Sequence, residues 1–441
     1  MLNIFSALCL SLTPNLIEVA VIRRLMIGNG LLLFGYVFWP VCYHRKVGTA
    51  NQTIMTINAG SSSIKIDLFN IRTERLLQAK INNIGQPNTR LIVQKGSRQH
   101  SMTVPAKNHT EAIHNILDSI SKDCSPEQLA VIGHRVVHGG TAYINPVIVT
   151  DQVITNLQSL DYFDPEHTRA ATYLMEIMAH NLPATPQIAC FDTAFYQDLP
   201  HLAKLLPLPR KLATTGLKRY GFHGLSYTYL LKNFQEAAGE TAANGRIILA
   251  HLGSGSSLTA VKQGKVLDTT MSLTPASGIP MSTRSGDLDP GIIEFLHRQT
   301  GITPAEFNHM IHFESGLLGI SELSGDMELL INVSDHNRKA ADAVDMFCYQ
   351  VRKAIASLTA VLGGLDSLIF AGGIGENAPV IRGKICDGLD YLGLSVDGQL
   401  NQKQAFLIST HNSRVGIHVM HTDEASVIAQ QAYAALKETR T

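Results

Sequence analysis

"TIMTINAGSSSIKIDLFN", residues 53–70, sets two short β-type runs on either side of Ala-Gly-Ser-Ser-Ser, and it reads as a β-hairpin. Its turn is open to two readings. It is either an ordinary tight turn or a cradle whose backbone N–H groups and hydroxyls receive phosphate oxygens, with Lys65 close by to supply charge. A second stretch, "RIILAHLGSGSSLTAVKQGKVLDTT" at 246–270, repeats the plan of strand, Gly/Ser turn, strand. Two copies roughly 195 residues apart point to a duplicated domain, with facing hairpins able to hold the phosphates of one nucleotide.

With 441 residues the chain can build two to three domains with cores of their own. Its 36 basic and 36 acidic residues balance, which argues against a nucleic-acid or anionic-membrane surface. The six cysteines, Cys9, Cys42, Cys124, Cys190, Cys348 and Cys386, show no metal-ligand spacing and read as reduced thiols of a cytoplasmic protein. Residues 1–52 differ from the rest. Leu25 to Tyr43 is almost wholly apolar, flanked by Arg23, Arg24, Arg45 and Lys46, and just long enough to span a bilayer. No cleavage site follows it, so the expectation is an extension outside the enzyme fold, with translation starting near Val47 or Met55. A membrane tether is the alternative.

Strands and helices alternate from residue 53 onward. "PEHTRAATYLMEIMAHNL" puts Ala171, Leu174, Met175 and Met178 on one helical face. Asp289-Pro290 reads as a cap and first position for "GIIEFLHRQTG". Residues 335–364 form a long amphipathic helix closed by glycines, and "DEASVIAQQAYAALKE" carries a stripe through Val427, Ile428, Ala432 and Ala435. These faces are packing surfaces. The fold class that follows is α/β with two similar halves.

Chemistry concentrates in the loops. "GHRVVHGG" (133–140) holds Arg135, and "MSTRSGDLDPG" (281–291) holds Arg284. The planar guanidinium fork suits a carboxylate or a phosphoryl group, although either loop alone reads equally as a surface ion-pair loop. "CFDTAFY" ends a strand in Asp192, "KRYGFHG" supplies His223, and "FAGGIGENAPV" is a strand, a Gly-rich turn and a helix start. Neither G-x-G-x-x-G nor G-x-x-x-x-G-K occurs, which disfavours a dinucleotide or P-loop fold.

In order and spacing, "INAGSSSIK", "GHRVVHGG", "FDTAF", "RYGFHG", "HLGSGSS", "TRSGDLDPG", "GGIGEN" and "TDE" resemble the acetokinase family, over roughly residues 53–437. The resemblance implies two duplicated domains of the sugar kinase/Hsc70/actin (ribonuclease H-like) fold with a cleft between them. Residues 53–193 plus the C-terminal helix 425–441 would form the first, and 194–424 the second, nucleotide-binding one. It implies reversible, Mg2+- or Mn2+-dependent transfer of the γ-phosphoryl of ATP to acetate, giving acetyl phosphate and ADP, in a cytoplasmic homodimer. By matched position Arg135, Asp192, His223 and Arg284 would be catalytic. Asn58, Ser61, Ser63, Lys65, His251, Gly253, Gly255, Asp326, Gly373, Gly375, Glu376 and Asn377 would hold the nucleotide, and Asn58 and Glu424 the metal. Val137, Tyr162, Phe222 and Pro275 would line a small acyl pocket favouring acetate over propionate and disfavouring butyrate.

Three positions depart from the pattern that the family shows. Phe163 in "FDPEH" stands where a histidine beside the phosphoryl group is usual, with His167 as a possible substitute. Glu328 stands where an arginine usually covers the base, which opens the donor to question and admits a diphosphate. Tyr196 replaces a peripheral histidine. The alternatives to an acetate kinase are a propionate kinase and a degenerate nucleotide-binding relative with little turnover.

Overall fold

Thr53–Ala59 (β1) and Ser63–Asn70 (β2) pair antiparallel, from Thr53 opposite Asn70 to Ala59 opposite Ile64, so the opening stretch is a hairpin. The computed structural model describes residues 52–60 and 62–439; Ser61 and the apolar run Leu25–Tyr43 lie outside them. The remaining strands are β3 (Arg75–Asn82), β4 (Arg90–Lys95), β5 (Arg98–Thr103), β6 (Leu129–Val136), β7 (Val147–Ile148), β8 (Gln187–Phe191), β9 (Arg246–Leu252), β10 (Ser256–Lys262), β11 (Lys265–Thr269), β12 (Ser367–Ala371) and β13 (Gly416–Val419).

They make two sheets, ordered β5-β4-β3-β2-β1-β6-β8-β7 and β11-β10-β9-β12-β13. The central five strands of the first, β3-β2-β1-β6-β8, match the whole of the second in pairing sense. In each, two antiparallel hairpin contacts are followed by two parallel ones. The repeated Gly/Ser hairpin is therefore the visible part of a repeated sheet, and the α/β class with two halves holds.

The parallel strands are apolar along their length because both faces are covered. Ile248, Ala250, Leu368 and Phe370 pack under the long helix Arg338–Leu362, which ends on Gly363 in a left-handed conformation (φ 71°). The helix Pro165–Asn181 buries Leu174 and Met178 against one face of the first sheet, and the C-terminal helix Glu424–Glu438 buries Val427, Ile428 and Ala432 against the other. One cap differs from expectation. The helix after Asp289-Pro290 begins only at Ile292, and Asp289 Oδ1 instead accepts the Gly291 N–H (2.7 Å) in the preceding turn. Among the described residues no helix is long and apolar enough to cross a membrane.

Candidate active site

Parallel strands of an open α/β sheet direct the loops after their carboxyl ends into a common crevice. Here Asn58 and Arg135 are the last residues but one of β1 and β6, and Asp192 directly follows β8. Arg135 donates to Asp192 Oδ2 from Nε (3.1 Å) and Nη2 (2.7 Å), while its Nη1 faces Asn58 Oδ1 (3.5 Å) and Glu424 Oε2 (3.4 Å). Glu424 arrives as the first residue of the C-terminal helix. Burial alone would lower the Arg135 guanidinium, but Asp192 and Glu424 outweigh it and hold its pKa above the ordinary range. Asp192 is wholly buried; that burial, with Glu424 next to it, pushes its carboxyl up against the pull of Arg135. Its Oδ1 makes no well-formed hydrogen bond, although the Leu225 backbone is close enough to favour the carboxylate.

The second half brings a different set. His251, near the end of β9, bonds Ser226 Oγ through Nδ1 (2.8 Å), and His223 bonds Ser257 Oγ through Nδ1 (2.9 Å). The two rings stack with centroids 4.4 Å apart. Burial lowers both pKa values, and for His223 the adjacent His251, Arg135 and Arg284 lower it further, so both rings are neutral. His223 sits in a left-handed conformation (φ 59°) at the start of the helix Gly224–Ala238. The glycine after it is obligatory: a Cβ at Gly224 would lie 2.0 Å from the Asp192 carbonyl oxygen. That contact ties the His223 turn to the end of β8.

Arg284 is differently held. One long bond from Nη1 to the Pro275 carbonyl (3.4 Å) is all that its fork makes among the described residues. Burial lowers its pKa, with Asp164 and Glu166 opposing. Gly255 adjoins both groups, since a Cβ there would lie 3.1 Å from His223 Nε2 and 3.6 Å from Arg284 Nη1. A Cβ on Gly253 would likewise lie 3.8 Å from both the Gly373 amide and His251 Nε2. The two glycine turns therefore meet beside the histidines.

A sequence profile of the acetokinase family matches residues 53–430. The chain belongs to the acetokinase family. It is 37% identical over 392 residues to the acetate kinase of Rhodopseudomonas palustris (87% of this chain, 98% of that one). It is 39% identical over 386 residues to the propionate kinase of Citrobacter koseri (86% and 96%). The structure superposes on a propionate kinase from Francisella tularensis with a TM-score of 0.82 at 32% identity (87% and 99% covered). The acetate kinase of Porphyromonas gingivalis gives 0.78 at 33% (87% and 100%).

Within this acetokinase-family chain the predicted nucleotide residues separate into two kinds. Gly253, Gly255, Gly373 and His251 converge, and Asn377, exposed, bonds only the Gly373 carbonyl (3.0 Å). Glu376 acts as a joint: its Oε1 accepts from Gly372 N (3.0 Å) and Thr422 N (3.2 Å), and its Oε2 pairs with His421 (2.7 Å). Gly375 is buried, its carbonyl bonded by Arg382. Asp326 caps the helix Met327–Val333 through the Glu328 N–H (2.9 Å), and both side chains are exposed. Lys65 is 3.7 Å from Asp67, and Ser63 closes its turn by a bond from Gly60 N to its carbonyl (2.8 Å).

Two of the three serines of "HLGSGSS", Ser256 and Ser257, serve the fold, while Ser254 is exposed. Ser256 bonds the Gly253 backbone and Ser257 orients His223 and Tyr227, which leaves Ser254 as the one hydroxyl of this turn that faces outward. Val137 and Phe222 share an apolar cluster with Phe163, Tyr220, Met271 and Met281, and Pro275 is buried beside Arg284. Tyr162 is 64% exposed and rests its ring on Phe163 of that cluster, centroids 4.2 Å apart. Phe163 lies flat on His138, centroids 4.1 Å apart; burial lowers the His138 pKa to about 4, and a neutral ring suits an apolar neighbour. Sequence reasoning missed Arg382, fully buried, which donates to the Gly375 and Glu376 carbonyls and to Asn401 (all 2.8 Å) and so fixes the Gly372–Asn377 turn. Its only signal was an arginine directly after the apolar run that opens "APVIRGKIC".

Proposed function

We propose that the protein is an acetate kinase that transfers the γ-phosphoryl of ATP to acetate, in a cleft between a unit of residues 53–193 plus 425–441 and a unit of residues 194–424. The observation that carries this is the meeting of Arg135 and Asp192 from the first sheet, and Glu424 at the head of the C-terminal helix, with Arg284 and two neutral histidines. Acetate is ionised at neutral pH, so its oxygen attacks phosphorus without a general base. The new O–P bond forms as the bond to the ADP oxygen breaks, through a loose, in-line transition state. Arg284, whose fork makes only one long bond among the described residues, is the group that meets the equatorial oxygens. Arg135, fixed on Asp192, supplies a standing positive charge and holds its carboxylate partner in place. Neutral His223 and His251 keep their Nδ1 edges on serines and leave their Nε2 edges for phosphate oxygens.

The donor set near Arg135 fits Mg2+. Asp192 and Glu424 are hard oxygen donors, Asn58 adds an amide oxygen, and Asp192 Oδ1 lacks a well-formed bond. Among the described residues no cluster of three or more His, Cys, Asp or Glu is arranged for a metal, which suits an ion held mainly by water and phosphates. When bound it would neutralise charge on the nucleotide phosphates. Glu328, at the first turn of its helix and exposed, lies outside this charge cluster, and the Gly253–Gly373 approach favours ATP over diphosphate.

Propionate is the second reading, favoured by relatives of both names at similar identity. Pocket size rests on Val137, Tyr162, Phe222 and Pro275. One methylene is worth only about 1–3 kcal/mol in such a pocket. A hydroxamate assay with acetate, propionate and butyrate, each with ATP, GTP or diphosphate, decides it. The expected order is acetate, propionate, butyrate with ATP as donor; no acyl phosphate from any pair would refute the kinase reading. Gel filtration tests the homodimer.

A further inference from the structure

Asp67 is a carboxylate in the middle of a strand, where its residue type is disfavoured, and it is only 1% exposed. A buried carboxylate has to be paired. β2 sets Lys65, Asp67 and Phe69 on one face, and β3 brings Gln78 opposite Asp67 and Arg75 opposite Phe69. Gln78 Nε2 donates to Asp67 Oδ1 (2.8 Å), and Lys65 Nζ lies 3.7 Å from Oδ2. Arg75 donates to Oδ1 from Nε (2.7 Å), with its guanidinium over the Phe69 ring at 5.1 Å from the centroid. The other end of that guanidinium leaves the sheet. Its Nη2 donates to Asp423 Oδ1 (2.5 Å), 348 residues further along the chain.

Asp423 is the third of four consecutive residues that each hold a different group. His421 Nδ1 and the Thr422 N–H bond the two oxygens of Glu376 in the glycine turn (2.7 and 3.2 Å). Thr422 Oγ1 also meets Ser226 Oγ (2.7 Å), which meets His251 Nδ1 (2.8 Å). Glu424 Oε2 faces Arg135 Nη1 at 3.4 Å, too long a contact to hold that carboxylate unaided. Its direction is set from behind. Asp423 caps the C-terminal helix, its Oδ1 accepting the Ser426 N–H (3.2 Å) and its carbonyl the Ser426 hydroxyl (2.9 Å). One oxygen thus takes both the helix amide and Arg75. That fixes the line on which the helix leaves the segment, with Glu424 as its first residue.

We propose that Arg75 is a positioning residue: braced on Asp67 and bonded to Asp423, it sets the Glu424 carboxylate for its part in holding the divalent ion. The proposal rests on the carboxylate kinase reading, in which Glu424 is a metal donor. Arg75 itself touches neither substrate nor nucleotide in this role. A planar guanidinium shared by two carboxylates on two elements has little freedom, so the segment it fastens is fixed against the first sheet. Partners that orient a metal donor from behind are worth about 10–100-fold in metal affinity or activity. No bond forms or breaks at Arg75, and its charge stays constant.

The test is calorimetric binding of ADP, with Mn2+ and with EDTA, to wild type, Arg75→Met, Asp423→Ser and the double variant. Wild type is expected to bind ADP more tightly with Mn2+. Arg75→Met should cut that gain about tenfold while its affinity for ADP in EDTA stays at the wild-type value. A residue that served only the fold would weaken both. Asp423→Ser keeps a competent cap but is too short to reach Arg75, and it leaves Asp67 paired, so it decides the matter even where Arg75→Met unfolds. It should show the same loss, and the double variant no more than either single one, because both act through one bond. An undiminished Mn2+ gain in Asp423→Ser, equal weakening with and without the metal, or a wild type to which Mn2+ adds nothing overturns the proposal. The hydroxamate assay is read separately: a wild type that gains from Mn2+ but makes no acyl phosphate sinks the kinase reading, and the affinities still decide Arg75.

Discussion

Asn58, Arg135 and Asp192 stand at the ends of β1, β6 and β8; His251, Gly372 and Thr422 stand at or just beyond the ends of β9, β12 and β13. The frames are equivalent, down to the register that sets Asn58 opposite Lys65 and His251 opposite Ser257 across their hairpins. The chemistry is not. In the first half the strand ends carry charge, and an ion pair locks it in place. In the second they carry glycine, neutral imidazole and backbone amides. A repeated sheet thus fixes where a site lies, while the residues at its strand ends decide whether that half meets a ligand with charge or with shape.

The arginines offer the largest test of this contrast. Arg284→Ala should lower acyl phosphate formation about 10³-fold or more. Because Arg284 makes only one long hydrogen bond, its stability should stay within about 1 kcal/mol of wild type. Arg135→Ala should lose activity and also about 3–5 kcal/mol of stability, since it strands the buried Asp192. Urea unfolding beside the hydroxamate assay separates the two; equal stabilities would mean that Arg135 is not the anchor its geometry describes. Arg382 is the buried arginine of the other half, with four neutral acceptors and no carboxylate, and burial lowers its pKa to about 10. Arg382→Ala should cost about 3 kcal/mol through the acceptors left unpaired, and should raise the KM for ATP while sparing kcat. An unchanged KM would detach the glycine turn from nucleotide binding.

Much of this was legible in the chain. Glycine and serine between β-type runs announce a hairpin wherever they occur, and its second copy announces the second sheet. Asp192 was found because it closes an apolar strand, whereas Arg135, read as a loop residue, lies inside β6 one position from its end. What failed to show is side-chain direction at the first residues of strands and in single-turn helices, too short for periodicity to constrain it. Ser256 and Ser257 turn inward to the fold while Ser254 stays exposed, and Glu376 clamps two backbones together. The Asp164–His167 pair needed the helix cap to be seen, because the same carboxylate serves amide and ring. The contact of Arg382 with Asn401 spans 19 residues of loop and short helix, beyond any local rule.

Each half also buries a histidine held neutral, and acid tests whether both belong to one cooperative fold. His134 bonds Gln187 (2.6 Å), and burial, opposed by that bond, takes its pKa from 6.5 to about 4. Burial does the same for His418. With folded values below the unfolded ones, the unfolded chain binds more protons. Stability is therefore intact above pH 6.5 and falls as the pH drops toward 4. Each such histidine adds about 1.4 kcal/mol per pH unit to that slope. His134→Leu should reduce the slope by about that amount whatever it does to absolute stability, as read from unfolding midpoints across the range. An unaltered slope would mean that His134 is protonated in the fold.

Gly373→Ala carries the smallest expected effect and the sharpest meaning. No atom lies within 4 Å of where its Cβ would stand, and its φ is not in the left-handed region, so the free protein has room for alanine. The residue lies in the first turn of the helix Gly372–Asn377, where alanine outranks glycine by up to about 1 kcal/mol. Stability should hold or rise. If the second half meets the nucleotide through bare backbone, the added methyl stands between the Gly373 amide and its ligand. The KM for ATP should then rise by about tenfold, close to 1.4 kcal/mol, with kcat nearly unchanged. Opposite signs for stability and affinity in one variant cannot come from damage to the fold. An unchanged KM would mean that the second half also recognises its ligand through side chains, and the contrast between the halves would fail.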